Sequence, residues 1–216
     1  AERRRTISRM KTYIARWVVP VATSPIANGA VAVDRERIAY VGPREGAPAG
    51  EVVDLGDAVL LPGLVNVHSH LELTAMRGFL EELPFRRWVL RLTKARAAVL
   101  SPDLLLASAK AGIAEGFLSG VTTYADTCES GVVLQALVEM GARGIMYQEV
   151  FGPDPAQCDG SIAGLREKLN ALRPMATQIA SWSAAALAIS VTGSPWRTSN
   201  CHGTSVPARA TSQSRW

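Results

Sequence analysis

An α/β fold is predicted for this chain, with a small all-β segment ahead of alternating strands and helices. Three patterns carry the prediction. Up to about residue 62 the apolar runs are short and divided by turn residues. Beyond that point buried-type strands alternate with stretches at helical period, the order that builds parallel βα units. From about Ala176 neither pattern continues. The predicted organisation is therefore a β segment over residues 10–62, βα units over 63–175, and an irregular tail over 176–216.

The elements follow in order. Thr12–Val19 reads as a strand, and Gly29–Val33 and Arg37–Val41 flank the polar Asp34-Arg-Glu36 connection of a hairpin. Glu51–Asp54 and Ala58–Leu61 add two short strands, and Pro62-Gly63 punctuates entry into the next. Residues 86–98 are amphipathic at helical spacing. Ser101-Pro-Asp103 starts a second helix, with Ser101 as N-cap and Pro102 at the first helical position, running to about Leu118 and stopping at Gly120. Val121–Ala125 is a strand ending in Asp126; residues 131–141 are helical; Arg143–Val150 is a strand; residues 161–172 form a further helix. No internal repeat is present.

Composition narrows the functional classes. A hydrophobic content of 48% supports a packed core, and no run approaches the roughly 18 apolar residues of a membrane helix, so no membrane partner is expected. The net charge of +4 is misleading as a whole. The first nine residues carry +3 and the stretch after Glu167 carries +5, leaving −4 for residues 10–167. Basic residues confined to the two ends do not make a nucleic-acid surface, and no nucleic-acid partner is expected. The basic N-terminus lacks an apolar core and is not read as a secretory signal. Cys128, Cys158 and Cys201 follow no metal-binding spacing, so reduced thiols and a cytoplasmic location are expected.

The chemistry concentrates in Leu61-Pro-Gly-Leu-Val-Asn-Val-His-Ser-His70, followed by Leu71-Glu72. A short apolar run ends in two histidines one residue apart. Alternate side chains of a strand share a face, so His68 and His70 leave the backbone on one side. Two imidazoles so placed can grip one divalent metal. The chain has only three histidines, and two of them stand here. Asp126 and Glu149 fall at or near the ends of the next two strands.

This segment resembles the amidohydrolase superfamily, and within it the hydrolytic deaminases of adenosine-type compounds and the triazine hydrolases. The matching marks are Pro62-Gly63-Leu-Val-Asn-Val-His68-Ser-His70-Leu-Glu72, Met76-Arg77-Gly78, Leu83-Pro84-Phe85 before a Trp-bearing helix, and Gly120-Val-Thr-Thr123. The hairpin over residues 31–42 with Leu55-Gly-Asp57 is similar to the β-sandwich segment preceding the barrel in such enzymes. The resemblance covers about residues 11–172. It implies the first three or so βα units of a (β/α)8 barrel, with the active site at the C-terminal ends of the strands. It implies one divalent ion, Zn2+ or Fe2+, on His68 and His70, and metal-activated water that hydrolyses a nucleoside-like or heteroaromatic amine. Hydrolysis of another non-peptide C–N bond, in a triazine or cyclic amide, is the sister reading. Glu72 would hold a ligand in place or touch the small-molecule substrate. Arg77 would pair with substrate or, more simply, with a nearby carboxylate. Asp126 and Glu149 would face the same site, touching substrate or supporting a ligand, and Glu149 would ligate metal in those branches that use a strand-three Glu. A homo-oligomer is a possible state.

The later marks of the family, a Ser-Pro-His-Ala-Pro segment, a further histidine and a strand-eight Asp, do not appear after residue 172. His202 lies in Asn200-Cys-His-Gly203, which matches none of them. Yet Val206-Pro-Ala-Arg-Ala-Thr211 can be encoded as GTC-CCC-GCA-CGC-GCC-ACC, and the same bases read one nucleotide later give Ser-Pro-His-Ala-Pro. The expectation is an out-of-frame tail, with the frame shifting near residues 174–180, and a truncated, catalytically incomplete enzyme. The rival from another class is a non-catalytic fragment that binds another chain.

Overall fold

The structure is a computed structural model describing residues 10–80, 82–150, 155–179 and 186–191, with residues 155, 176–179 and 186–191 described by backbone alone. His202, Cys201, Trp182, Trp196, Trp216, the basic N-terminal residues and the 206–211 segment lie outside the described residues. The chain divides into two compact units, Ala1–Gly63 and Leu64–Trp216.

The first unit is built from one sheet. Strand β1 (Met10–Val18) pairs antiparallel with β2 (Ile26–Asp34), and β2 with β3 (Arg37–Pro43). On its other side β1 runs parallel to β4 (Glu51–Asp54) and then to β5 (Val59–Leu60). Residues of alternating character bury one face: Thr12, Ile14 and Val18 from β1 meet Ala30 and Ala32 from β2. The hairpin turns where expected, with Arg35 at a φ of 55°. A sandwich needs a second layer, which the described residues do not contain.

The second unit places four strands in sequence order, all parallel: β6 (Leu64–Ser69), β7 (Val121–Cys128), β8 (Arg143–Val150) and β9 (Ala186–Val191). Parallel neighbours need crossovers. These are α1 (Phe85–Val99) with α2 (Pro102–Leu118), then α3 (Val132–Met140), then α4 (Cys158–Ile179). Ser101 caps α2 as predicted, its hydroxyl accepting from the Leu104 amide at 3.3 Å with Pro102 following. Gly131 and Gly141 bracket α3 at φ 80° and 63°, conformations that favour glycine.

The core lies between the sheet and these helices. Ala109 and Ile113 of α2, Tyr124 and Cys128 of β7, Val133, Leu134 and Leu137 of α3, and Met146 of β8 are buried together. Tyr124 fixes which way β7 faces, because its hydroxyl donates to the Ile113 carbonyl of α2 at 3.0 Å. Its alternation partners Asp126 and Cys128 therefore turn to the helix side as well.

Three elements differ from the sequence expectation. Strand β7 runs on to Cys128, three residues past Ala125, because Asp126–Cys128 keep their register with Met146–Gln148. Helix α4 runs from Cys158 through Pro174 to Ile179, where the pattern had predicted 161–172. The region beyond 176 is not wholly irregular, since Ala186–Val191 joins the sheet. Cys128 is a free, buried thiol, but Cys158 is disulfide-bonded, which departs from the expectation of reduced cysteines throughout.

Three or so barrel strands cannot close on themselves, so an uncovered edge and apolar face are expected. In the structure β6 is an edge strand, with Leu64, Val65 and Val67 between 50% and 76% exposed. Its only strand partner among the described residues is β7, so one row of backbone groups and the apolar side chains stand open. No single helix among the described residues is long and apolar enough to cross a membrane.

Candidate functional site

The histidines sit where β6 leaves the sheet. Along β6 and β7, Asn66 pairs with Tyr124 but Ser69 pairs with Asp126, so three residues on one strand oppose two on the other. This irregularity re-aims the strand end, as bulges beside active sites do. Asn66 stabilises it, its side-chain oxygen accepting the His68 amide at 3.2 Å. Ser69 faces Asp126, and His68 and His70, which flank Ser69, leave on the opposite side. Their rings meet edge to face, with centroids 5.1 Å apart and planes at 88°. Both are exposed.

Beneath the pair lies a carboxylate. Asp126 is wholly buried, and its Oδ2 accepts the Ser69 hydroxyl at 2.7 Å and the Leu71 amide at 2.8 Å. Burial pushes its pKa up to about 7, against the two hydrogen bonds and with help from the charges of Glu72 and Glu149. Its Oδ1 has no hydrogen-bond partner among the described residues. Of the two roles expected of Asp126, touching substrate or supporting a ligand from behind, its hydrogen bonds suit the second. Its place in β7 turns it toward the helices and the backbone of the histidine loop, not toward the histidine rings.

Glu72 is also buried, in the 3-10 turn Leu71–Met76 that follows His70. Arg96 of α1 holds it at 2.8 Å and holds Glu129 at 2.9 Å, and the Ser130 hydroxyl donates to the second Glu72 oxygen. This network pins the turn to α1 and to the loop after β7. The Cys128 thiol nearby is raised far above the usual thiol range, chiefly by burial and further by Glu72 and Asp126.

Arg77 turns away from the histidines to the exposed Glu115 of α2. Their hydrogen bond and opposite charges raise the guanidinium pKa and lower that of the carboxyl. An open cleft of about 330 Å3 is walled by Asn66, Ser69, His70, Thr74, Arg77 and Glu115. Glu149 alternates along β8 with the fully buried Met146 and Gln148, which places it on the sheet face from which the histidines leave.

The structure thus brings His68 and His70 together, puts Glu149 on their side of the sheet, and uses Glu72 and Asp126 as buried supports. Asn66, Ser69 and Arg96 belong to the site although sequence reasoning passed over them. Ser69 and Asn66 lay inside the motif as spacers. Arg96 is a cation on an amphipathic helix, a pattern that ordinarily marks a solvated face, and nothing local reveals its carboxylate partners.

Imidazole nitrogens are ordinary ligands for divalent zinc or iron, so the donor set fits as two of the three protein ligands typical of catalytic zinc. Among the described residues no group of three His, Cys, Asp or Glu side chains comes together to hold a metal.

A family model described as "Amidohydrolase family" matches residues 59–180, more than half of the chain. The chain belongs to the amidohydrolase family. Among curated amidohydrolase relatives, the 5-methylthioadenosine/S-adenosylhomocysteine deaminase of Moorella thermoacetica is 36% identical over 140 residues, 62% of this chain and 33% of the relative. The enzyme of the same name from Desulforudis audaxviator is 36% identical over 142 residues, 63% of this chain and 33% of the relative. The chain thus spans about a third of the length of these curated relatives. Among solved structures, an adenosine deaminase from Xanthomonas campestris with bound zinc matches at a TM-score of 0.63 and 23% identity, over 82% of this chain and 42% of that one. An atrazine chlorohydrolase from Arthrobacter aurescens complexed with zinc matches at 0.68 and 19%, over 86% and 47%. These likenesses establish the fold: an all-β segment and the first strands and helices of an amidohydrolase barrel.

Proposed function

We propose that this chain carries the metal-gripping half-site of a hydrolytic deaminase acting on a nucleoside-like or heteroaromatic amine. The observation that carries this reading is the close, solvent-facing pairing of His68 and His70 at the C-terminal end of the first parallel strand. Barrel enzymes of this kind place their chemistry at that end. The names of the curated relatives, deaminases of thioadenosine-type nucleosides, support the substrate class.

In this reading His68 and His70 would hold one divalent ion, zinc or iron, whose bound water is acidic enough to supply hydroxide near neutral pH. His68 is oriented by Asn66, and the turn carrying Glu72 is locked by Arg96, so both histidines stand on a fixed backbone. Glu149, on the same face by strand alternation, would approach the same space from β8. Arg77, engaged with Glu115, borders the cleft and would meet only the outer part of a substrate.

Two donors are too few for a tightly held catalytic ion, and this favours a second statement: the chain alone is catalytically incomplete. The sequence of the tail supports a shift of reading frame near residues 174–180, because the 206–211 codons can hide Ser-Pro-His-Ala-Pro in the next frame. Nucleotide sequencing of codons 170–216 tests this; a gene in which no frame encodes that motif refutes it. The activity reading is tested with purified full chain, zinc or iron, and 5′-methylthioadenosine. The expected result is weak, histidine-dependent metal binding without ammonia release. Release above a His68→Ala control would overturn the incompleteness, and metal binding indifferent to both histidines would overturn the site.

A further inference from the structure

We infer that Asp126 is a positioning residue for His70, acting through the backbone and side chain on either side of it. A single carboxylate oxygen, Oδ2, takes both the Ser69 hydroxyl and the Leu71 amide, the residues immediately before and after His70. The two bonds bracket the His70 peptide like a staple. They come from a rigid place, since Asp126 is 0% exposed and sits mid-register in β7 between paired residues of β6 and β8.

The staple matters because the β6–β7 ladder reaches no further than Ser69. Register between β6 and β7 slips between Asn66 and Ser69, and His70 itself lies past the end of β6 with φ −130° and ψ 69°. Beyond the two Asp126 bonds, the His70 carbonyl accepts the Leu73 amide at 2.9 Å. A ring that must share an ion with His68 needs its Cα placed to within about half an ångström. The inference rests on reading His68 and His70 as a metal pair, and it adds what holds the second ring in register with the first.

The geometry also separates acceptor from charge. Only Oδ2 is engaged, while Oδ1 has no partner among the described residues. An asparagine can present its amide oxygen at the Oδ2 position and keep both bonds. An alanine cannot.

The test uses the full chain with Co2+ as probe, followed by its visible d–d absorption, together with imidazole 1H–15N spectra of the metal-free protein assigned with His70→Ala. Asp126→Ala is expected to weaken Co2+ binding by roughly tenfold or more, the scale seen when a ligand's supporting partner is removed. Asp126→Asn should stay nearer the parent than the alanine variant, and should keep the parent's His70 ring signals. Should Asp126→Ala fail to fold, Ser69→Ala removes one of the two bonds at a half-buried site and should give a smaller loss with the His70 signals broadened or shifted. Unchanged affinity in Asp126→Ala, or equal losses in the alanine and asparagine variants, overturns the inference. If the parent binds no Co2+, the metal reading fails by itself. The metal-free spectra then decide the staple separately: His70 signals identical in the parent and Ser69→Ala overturn it.

Discussion

Arg96→Met is the substitution whose cost follows most directly from the structure. Arg96 is 15% exposed and bridges Glu72, 5% exposed, and the half-exposed Glu129. Removing the cation strands the Glu72 carboxylate in the interior with only the Ser130 hydroxyl for company. Breaking one side of a buried pair costs about 3–5 kcal/mol. Against this, the buried Arg96 Nε has no partner among the described residues, and deleting an unsatisfied donor returns about 1–3 kcal/mol. Glu129 recovers most of its solvation and adds little. The net loss is then about 2 kcal/mol, the middle of a range of about 0–4 kcal/mol. Native-state hydrogen exchange at β7 and α3 amides reads it within the second unit, independently of the first. The double variant Glu72→Met, Arg96→Met is expected within about 1 kcal/mol of the parent, because a buried ion pair and an apolar pair of similar volume are often equivalent. A single variant as protected as the parent, or a double variant worse than the single, would refute the reasoning.

Three further outcomes are expected. Asp126 titrates near 7 when folded against about 3.8 when exposed, so between those values the folded chain holds a proton that the unfolded chain has released. Stability should therefore fall as pH rises through that window, by up to about 1.4 kcal/mol per unit, and level off above it; Asp126→Asn should lack the slope, and exchange measured at pH 5 and pH 8 checks this. Gly116→Ala should destabilise, because the new Cβ would stand 1.9 Å from the Tyr124 hydroxyl, and overpacking of about 1–3 kcal/mol outweighs the roughly 1 kcal/mol helix gain. Gly160→Ala in α4 meets nothing within 4 Å and should stabilise by up to about 1 kcal/mol, so a common sign for the two in thermal melts would contradict the packing.

Much of the scaffold was legible because its punctuation is local. Ser101-Pro102 announces α2, the paired glycines announce α3, and Arg143–Val150 coincides with β8. What escaped depends on distant partners. Nothing near Pro174 shows that α4 passes through it. The staggered pairing that carries β7 to Cys128 is set by β8. In the site, the His68-Ser-His70 spacing was readable from strand alternation alone, and the structure keeps those rings together. The reach from Glu72 to Arg96 and Ser130, 24 and 58 residues away, was not. Nor was the inward turn of Asp126, since one residue of register decides which face a strand residue takes.

The central claim is that His68 and His70 exist to share one cation. Zinc titration of the full chain by calorimetry, beside His68→Ala and His70→Ala, tests it most directly. One ion per chain, bound weakly by the parent and lost in each variant, is the predicted result. A parent that takes up no zinc, or variants that bind as the parent does, would contradict it.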